Sequence, residues 1–299
     1  MSKPKTIQTS GVLFSYWEHG PADGTPVLLL HGFPYAANTW DGVVAELQPN
    51  KRKLRLFVLS MRGYGETTVL QENLLSGQEA ALAHDVLAFA DALQLQRFFI
   101  VGHDWGARAG FDVSALTPER VIGHLGLSSP YVMYDGRDLP PKQVQSYWYQ
   151  WYFQTAQGEK ALRTDAMALC DQIWRAWSPG WKFSRREFTE TAAYWRNPQF
   201  ATVVLDSYRH RWGNSLGKPA YAALQDQMDV RPKAKISVPT LFGFGTDDHC
   251  VLPEASEEQK KYFSGWYERV PIKGAGHSVP QEDPGSVAKL FDRLWKRSR

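Results

Sequence analysis

The residues best suited to chemistry in this 299-residue chain form one short run, Gly102-His103-Asp104-Trp105-Gly106. It follows the apolar stretch Arg97-Phe-Phe-Ile-Val101 and precedes the small-residue stretch Ala107-Arg-Ala-Gly110. That context predicts a strand, a sharp turn and a helix, with the central side chain exposed at the turn. Glycines on either side relieve the crowding of such a turn. A Gly-x-Asp-x-Gly match arises by chance in about one chain in ten of this length, so its weight comes from the context. An aspartate there is already ionised at neutral pH and, unlike a serine, needs no base to activate it. It suits displacement at saturated carbon, forming an alkyl ester that water must then cleave.

Two further residues fit that second step. Asp248 ends Gly245-Thr-Asp-Asp248 after a predicted strand at 236–243, and His277 ends Gly274-Ala-Gly-His277 after a predicted strand at 266–270. Nucleophile, acid and histidine then follow one another in the chain, and a histidine oriented by a carboxylate can deprotonate water. Asp247 competes for the acid role, but the Gly-x-x-Asp spacing carries Asp248 past the strand end. His31-Gly32-Phe33-Pro34 follows the apolar run at 26–30. An amide from that loop and the amide after the nucleophile, Phe33 and Trp105, would form an oxyanion hole. His31 then orients the loop, and His103 packs beside the turn.

The elements needed to hold these groups are legible as a pattern. Runs at 26–30, 54–59, 97–101, 121–127, 236–243 and 266–270 are short and continuously apolar, as strands buried on both faces of a parallel sheet are. Between them, Ser76-x-x-Glu79 reads as a capping box ahead of Leu82, Val86, Phe89 and Leu93, and Asp283-Pro284 opens a C-terminal helix. Strand and helix alternate, which makes the class α/β, a mostly parallel central sheet with helices on both faces. The alternation stops between about 134 and 229, a stretch rich in Trp and Tyr. We read an inserted helical cap at 135–228, dividing the core into 1–134 and 229–299. Tyr147-Trp-Tyr-Gln-Trp-Tyr-Phe153 is aromatic all round as a helix, so it is expected to be covered on several sides.

A formal net charge of +3, with basic clusters at 51–53 and 296–299, implies solvated surface and no nucleic-acid partner. The chain has only two cysteines, Cys170 and Cys250, which fits a reducing, cytoplasmic setting. No apolar run suggests a membrane span or a signal segment. No metal site or nucleotide fingerprint is evident, so no cofactor is expected. The oligomeric state, monomer or homodimer, is not encoded in any recognisable pattern.

From about residue 12 to 297 the chain resembles the epoxide hydrolases of the α/β-hydrolase fold. It shares their HDWG motif, His103-Asp104-Trp105-Gly106, and their HGFP loop, His31-Gly32-Phe33-Pro34. The resemblance implies two cap tyrosines that bind and protonate an epoxide oxygen. The first matches Tyr149, in Tyr149-Gln-Trp-Tyr-Phe-Gln154, and the second matches Tyr208, in the Tyr208-Arg209 segment. It implies a small apolar or aromatic epoxide and water as partners. Two positions depart from the pattern: Ser60 stands where an aspartate is usual, and Ser278 follows the histidine where an aromatic is common. Haloalkane and haloacid dehalogenases are similar in fold and nucleophile, and Trp105 could donate its indole N–H to a halide. Phe33 stands where haloalkane dehalogenases commonly place a polar halide ligand, and an anionic substrate would need a clamp such as Arg108 or Arg62. A third reading is a non-catalytic small-molecule receptor on the same fold.

Overall fold

The computed structural model describes residues 3–136, 138–230 and 233–298, so Met1, Ser2 and Arg299 of the terminal stretches lie outside the described residues. Its strands are β1 (Lys5–Gln8), β2 (Val12–His19), β3 (Thr25–Leu30), β4 (Leu54–Leu59), β5 (Thr68–Val69), β6 (Phe98–His103), β7 (Val121–Leu127), β8 (Thr240–Gly245) and β9 (Tyr267–Ile272). They form one sheet in the order β1-β2-β4-β3-β6-β7-β8-β9, with β5 paired to β2. From β4 to β9 every neighbouring pair along that path is parallel, whereas β1, β2 and β5 pair antiparallel.

The apolar runs are continuous because successive side chains face opposite cores. Val27 and Leu29 of β3 pack with Val43 and Leu47 of the helix Asp41–Leu47 and with Leu290 and Leu294 of the helix Pro284–Arg297. Leu28 and Leu30 face the other way, toward Val86 and Phe89 of the helix Glu79–Ala92 and Phe111 of the helix Trp105–Leu116. The sheet is therefore covered on both faces, and its parallel strands all deliver their carboxyl ends to one edge, where ligands of such sheets bind.

Two local expectations need correction. The strand placed at 236–243 begins only at Thr240, because Pro239 has no N–H to give the ladder; Ile236 makes an isolated bridge to Phe263 instead. The capping box does not form. Ser76 Oγ donates to the Asp206 carboxylate at 2.6 Å and accepts from the Gln78 amide, and Glu79, the first helical residue, pairs with Arg108. The helix starts at Glu79 with Gln78 in the cap position, so Ser76 stands two residues too early to cap it. In the aromatic stretch, Tyr147, Tyr149 and Phe153 are buried and Trp148 is exposed, so the stretch is covered on several sides with one side at the surface. At the C-terminal helix, Asp283 does cap its start, accepting from the Ser286 amide at 2.9 Å.

Between β7 and β8 the named elements are all helices and 3-10 turns, among them Trp148–Tyr152, Ala166–Trp177 and Phe200–Arg211. Among the described residues no helix is long and apolar enough to cross a membrane.

Candidate active site

β6 is buried along its whole length and runs straight into Asp104, whose φ of 53° and ψ of −114° are unusual for a side-chain-bearing residue. The helix begins at the next residue, so the carboxylate stands at the bend. A Cβ on Gly106 would lie 2.1 Å from the carbonyl oxygen of Leu30, and one on Gly32 would lie 2.2 Å from Asp104 Oδ1. Only glycine lets the helix start lie against β3 and the loop after β3 lie against the carboxylate.

That loop supplies the first contact. The Phe33 amide donates to Asp104 Oδ1 at 2.9 Å, and the Trp105 amide donates to the same carboxylate. The other oxygen, Oδ2, lies 3.6 Å from Nε2 of His277, beyond hydrogen-bond range. On its far side His277 bonds through Nδ1 to Asp248 Oδ2 at 2.8 Å, and Asp248 Oδ1 accepts the amides of Cys250 and Val251 at 2.8 and 2.9 Å. Asp247, the competing acid, is turned away and sits 3.2 Å from His249. All three groups are buried, at 6% exposure for Asp104, 1% for Asp248 and 0% for His277.

Charge is balanced inside this buried site. Burial raises the pKa of Asp104, but His277 and the surrounding donors outweigh it and hold the carboxyl below its usual range. Burial likewise opposes charge on His277, and the carboxylates of Asp248 and Asp104 overcome it, raising the imidazole well above its ordinary value. Both directions favour an Asp104 carboxylate beside a His277 imidazolium.

The two neighbouring histidines are neutral. Burial brings His31 down to about 4; its Nε2 accepts the Met61 amide at 3.0 Å, so its Nδ1 carries the proton, facing the Gly32 carbonyl at 3.0 Å. His103 is brought down to about 3 by burial and donates from Nε2 to the His277 carbonyl at 2.8 Å. Neither ring contacts the Asp104 carboxylate by hydrogen bond.

Tyr149 and Tyr208 enter from the helices between β7 and β8. Their rings meet edge to face at 5.3 Å; Tyr149 stacks on Phe33 at 6.2 Å, and Tyr208 lies 5.6 Å from both Phe33 and Trp105. Burial keeps both phenols protonated by raising them well above their ordinary value, with Asp104 adding to the effect on each. The Tyr149 hydroxyl lies 3.7 Å from Cys250 Sγ.

The described residues contain no group of three or more His, Cys, Asp and Glu that could hold a metal ion. Residues 25–284 match the model of the alpha/beta hydrolase fold family. The chain belongs to that family. This hydrolase is 27% identical to Epoxide hydrolase 2 of Caenorhabditis elegans, over 97% of its own length and 79% of that protein's. It is 26% identical to Epoxide hydrolase A of Mycobacterium tuberculosis, over 97% and 96%. A crystal structure from Klebsiella pneumoniae, whose assigned activity is epoxide hydrolysis, superposes with a TM-score of 0.90 at 32% identity, covering 98% of this chain and 97% of that one.

Several residues that complete the hydrolase's site escaped the sequence reading. Gln150 Nε2 donates to the Tyr149 hydroxyl at 2.7 Å, while its Oε1 accepts the Trp212 indole N–H at 3.0 Å. Glu282 ties down the histidine loop by accepting the amides of Gly276 and Ser278 at 2.9 and 3.0 Å. Ser278 itself meets the Tyr35 hydroxyl at 2.6 Å. The carbonyl of Trp177, at the end of its helix, accepts the amides of both His249 and His277, at 3.1 and 3.3 Å. Gln150 left a signal in its place beside the matched tyrosine, and Ser278 in its departure from the family pattern; Glu282 and the main-chain carbonyl of Trp177 left none, because their partners are backbone amides brought to them by the fold. The suggested clamps are both engaged elsewhere. Arg62 spends its guanidinium on Asp85, Leu74 O, Ser76 O and Tyr221, and Arg108 pairs with Glu79.

Proposed function

We propose that the protein hydrolyses an epoxide to a vicinal diol through an ester on Asp104, with residues 135–228 as a helical cap on a core of 1–134 and 229–299. The observation that carries this reading is the division of labour within one carboxylate: Oδ1 already accepts the Phe33 amide at 2.9 Å, and Oδ2 faces His277 at 3.6 Å. Oδ2 is therefore the nucleophile, and the ester carbonyl oxygen stays on the amides.

As the Oδ2–carbon bond forms, a ring carbon–oxygen bond breaks, and the alkoxide takes a proton from the tyrosine pair, Tyr149 and Tyr208. The His277 imidazolium returns a proton to the tyrosinate and is left neutral, ready to act as a base. It then takes a proton from water, and hydroxide adds to the ester carbonyl, whose developing charge is met by the Phe33 and Trp105 amides. Collapse expels the second oxygen of the diol as an alkoxide, which recovers its proton from His277. The proton left on the Asp104 carboxyl passes to His277, restoring the starting ion pair. Two buried, free cysteines fit a cytoplasmic setting.

A second reading, halide displacement, is favoured by one observation. The indole N–H groups of Trp105 and Trp177, whose rings both pack on Phe33, are buried and have no hydrogen-bond partner among the described residues. Parallel turnover of styrene oxide and a bromoalkane by wild type and Asp104→Ala separates the two. Diol from wild type alone supports epoxide hydrolysis; halide without diol moves the assignment to dehalogenation. Diol formed equally by both proteins removes Asp104 from the chemistry.

A further inference from the structure

A cavity of about 470 Å³ lies beside the nucleophile rather than around it, with Arg108, Asp112, Tyr147, Arg211 and Lys233 in its wall. Arg108 follows Asp104 by one helical turn, its amide donating to the Asp104 carbonyl at 3.1 Å. Arg211 sits 5.1 Å over the Tyr208 ring, and Tyr147 lies 6.2 Å from the Tyr149 ring. Arg211 and Tyr147 thus put the cavity next to the proposed proton-donating pair.

The cations in this wall are not equally engaged. Arg108 is paired with Glu79, and Lys233 donates to the Met228 carbonyl at 2.7 Å. Arg211 has a buried Nε with no hydrogen-bond partner among the described residues. The wall also holds Glu79, Asp112 and Asp229, and burial and the neighbouring Glu79 push the Asp112 carboxyl up to about 7. Phe111, Leu139 and Trp212 make apolar surface between these groups. A buried guanidinium N–H left unused in a cavity wall is best satisfied by a carboxylate, which accepts two parallel hydrogen bonds from the guanidinium.

We propose that this cavity holds the carboxylate end of an elongated substrate on Arg211, so that the enzyme selects epoxides carrying an organic acid over their neutral counterparts. The inference rests on the epoxide hydrolase reading. Its test compares 4-(oxiran-2-yl)benzoate with the methyl ester, and measures binding of unreactive 4-ethylbenzoate by calorimetry, in wild type, Arg211→Gln and Arg211→Lys. The acid-to-ester ratio of kcat/KM should fall about tenfold in the Gln variant, chiefly through KM, and recover in part in the Lys variant. The binding of 4-ethylbenzoate should weaken by a similar factor. An unchanged ratio overturns the proposal, and so does a loss that Lys fails to rescue. If wild type opens neither epoxide, the hydrolase reading fails separately and calorimetry decides: binding lost in Arg211→Gln keeps the acid site, and no binding to wild type removes it.

Discussion

Replacing Gln150 by Glu tests whether the direction of one hydrogen bond sets the acidity of the tyrosine pair. An indole N–H can only donate, so the 3.0 Å contact from Trp212 fixes Gln150 Oε1 and turns Nε2 toward Tyr149, 2.7 Å away. Tyr149, having accepted that bond, keeps its own proton for Cys250 Sγ, 3.7 Å away, or for a substrate oxygen. Glu has nearly the same shape and still accepts from Trp212, but as a carboxylate it can only accept from Tyr149. The Tyr149 proton then turns away from the site, and the phenolate formed on donation loses the bond that stabilised it. One hydrogen bond is worth roughly 0.5–1.5 kcal/mol net and up to about 3 where a charge develops. Ester formation should therefore slow by about 10- to 100-fold. Rapid quench with intact-mass detection reads that step directly, with thermal denaturation to check that the variant is folded. A folded variant that forms ester at the wild-type rate would refute the argument, as would one slowed only in ester hydrolysis.

Further outcomes follow from other contacts. His277→Gln should form the Asp104 ester and then retain it, with decay slowed by about 10²–10⁴ for loss of a general base; intact mass should rise by the mass of the substrate, and no adduct would sink the two-step scheme. Arg62→Met strands the carboxylate of Asp85, whose oxygens lie 2.6 and 2.7 Å from the guanidinium in a buried pair, and should cost about 3–5 kcal/mol in urea unfolding. Adding Asp85→Leu should recover much of that loss, and a single variant as stable as wild type would contradict the buried-pair account. Asp112→Asn addresses pH. Asp112, pushed up to about 7 when folded, binds a proton more tightly folded than unfolded, so it removes stability as pH rises from about 4 to 7. The Asn variant should lose that decline and gain on wild type at pH 8; parallel Tm curves across that window would overturn it.

The parallel part of the sheet was legible because strands buried on both faces must be apolar without interruption, as at Leu28-Leu-Leu30. β2 was not, since Ser15, Glu18 and His19 break the run in a strand that pairs antiparallel near the edge. At the site, the Asp104 turn carried its own signal in the flanking glycines. The cavity did not: Arg211 and Asp112 are far apart in sequence, and only the fold makes them neighbours. The failed capping box shows the same limit, because Asp206, which takes the Ser76 hydroxyl, comes from a distant helix.

The carbonyl of Trp177 has a wider consequence. It is a main-chain group, so any residue at that position can supply it, yet it joins the helix between β7 and β8 to the loops of both Asp248 and His277. The end of that helix is in effect a ruler for the base. On the proposed reading, any motion that admits substrate has to leave this contact in place if His277 is to keep its distance from Asp104. A chimera that grafts this region from a relative should succeed or fail on whether its backbone arrives at the same height above the histidine loop, however well its side chains match.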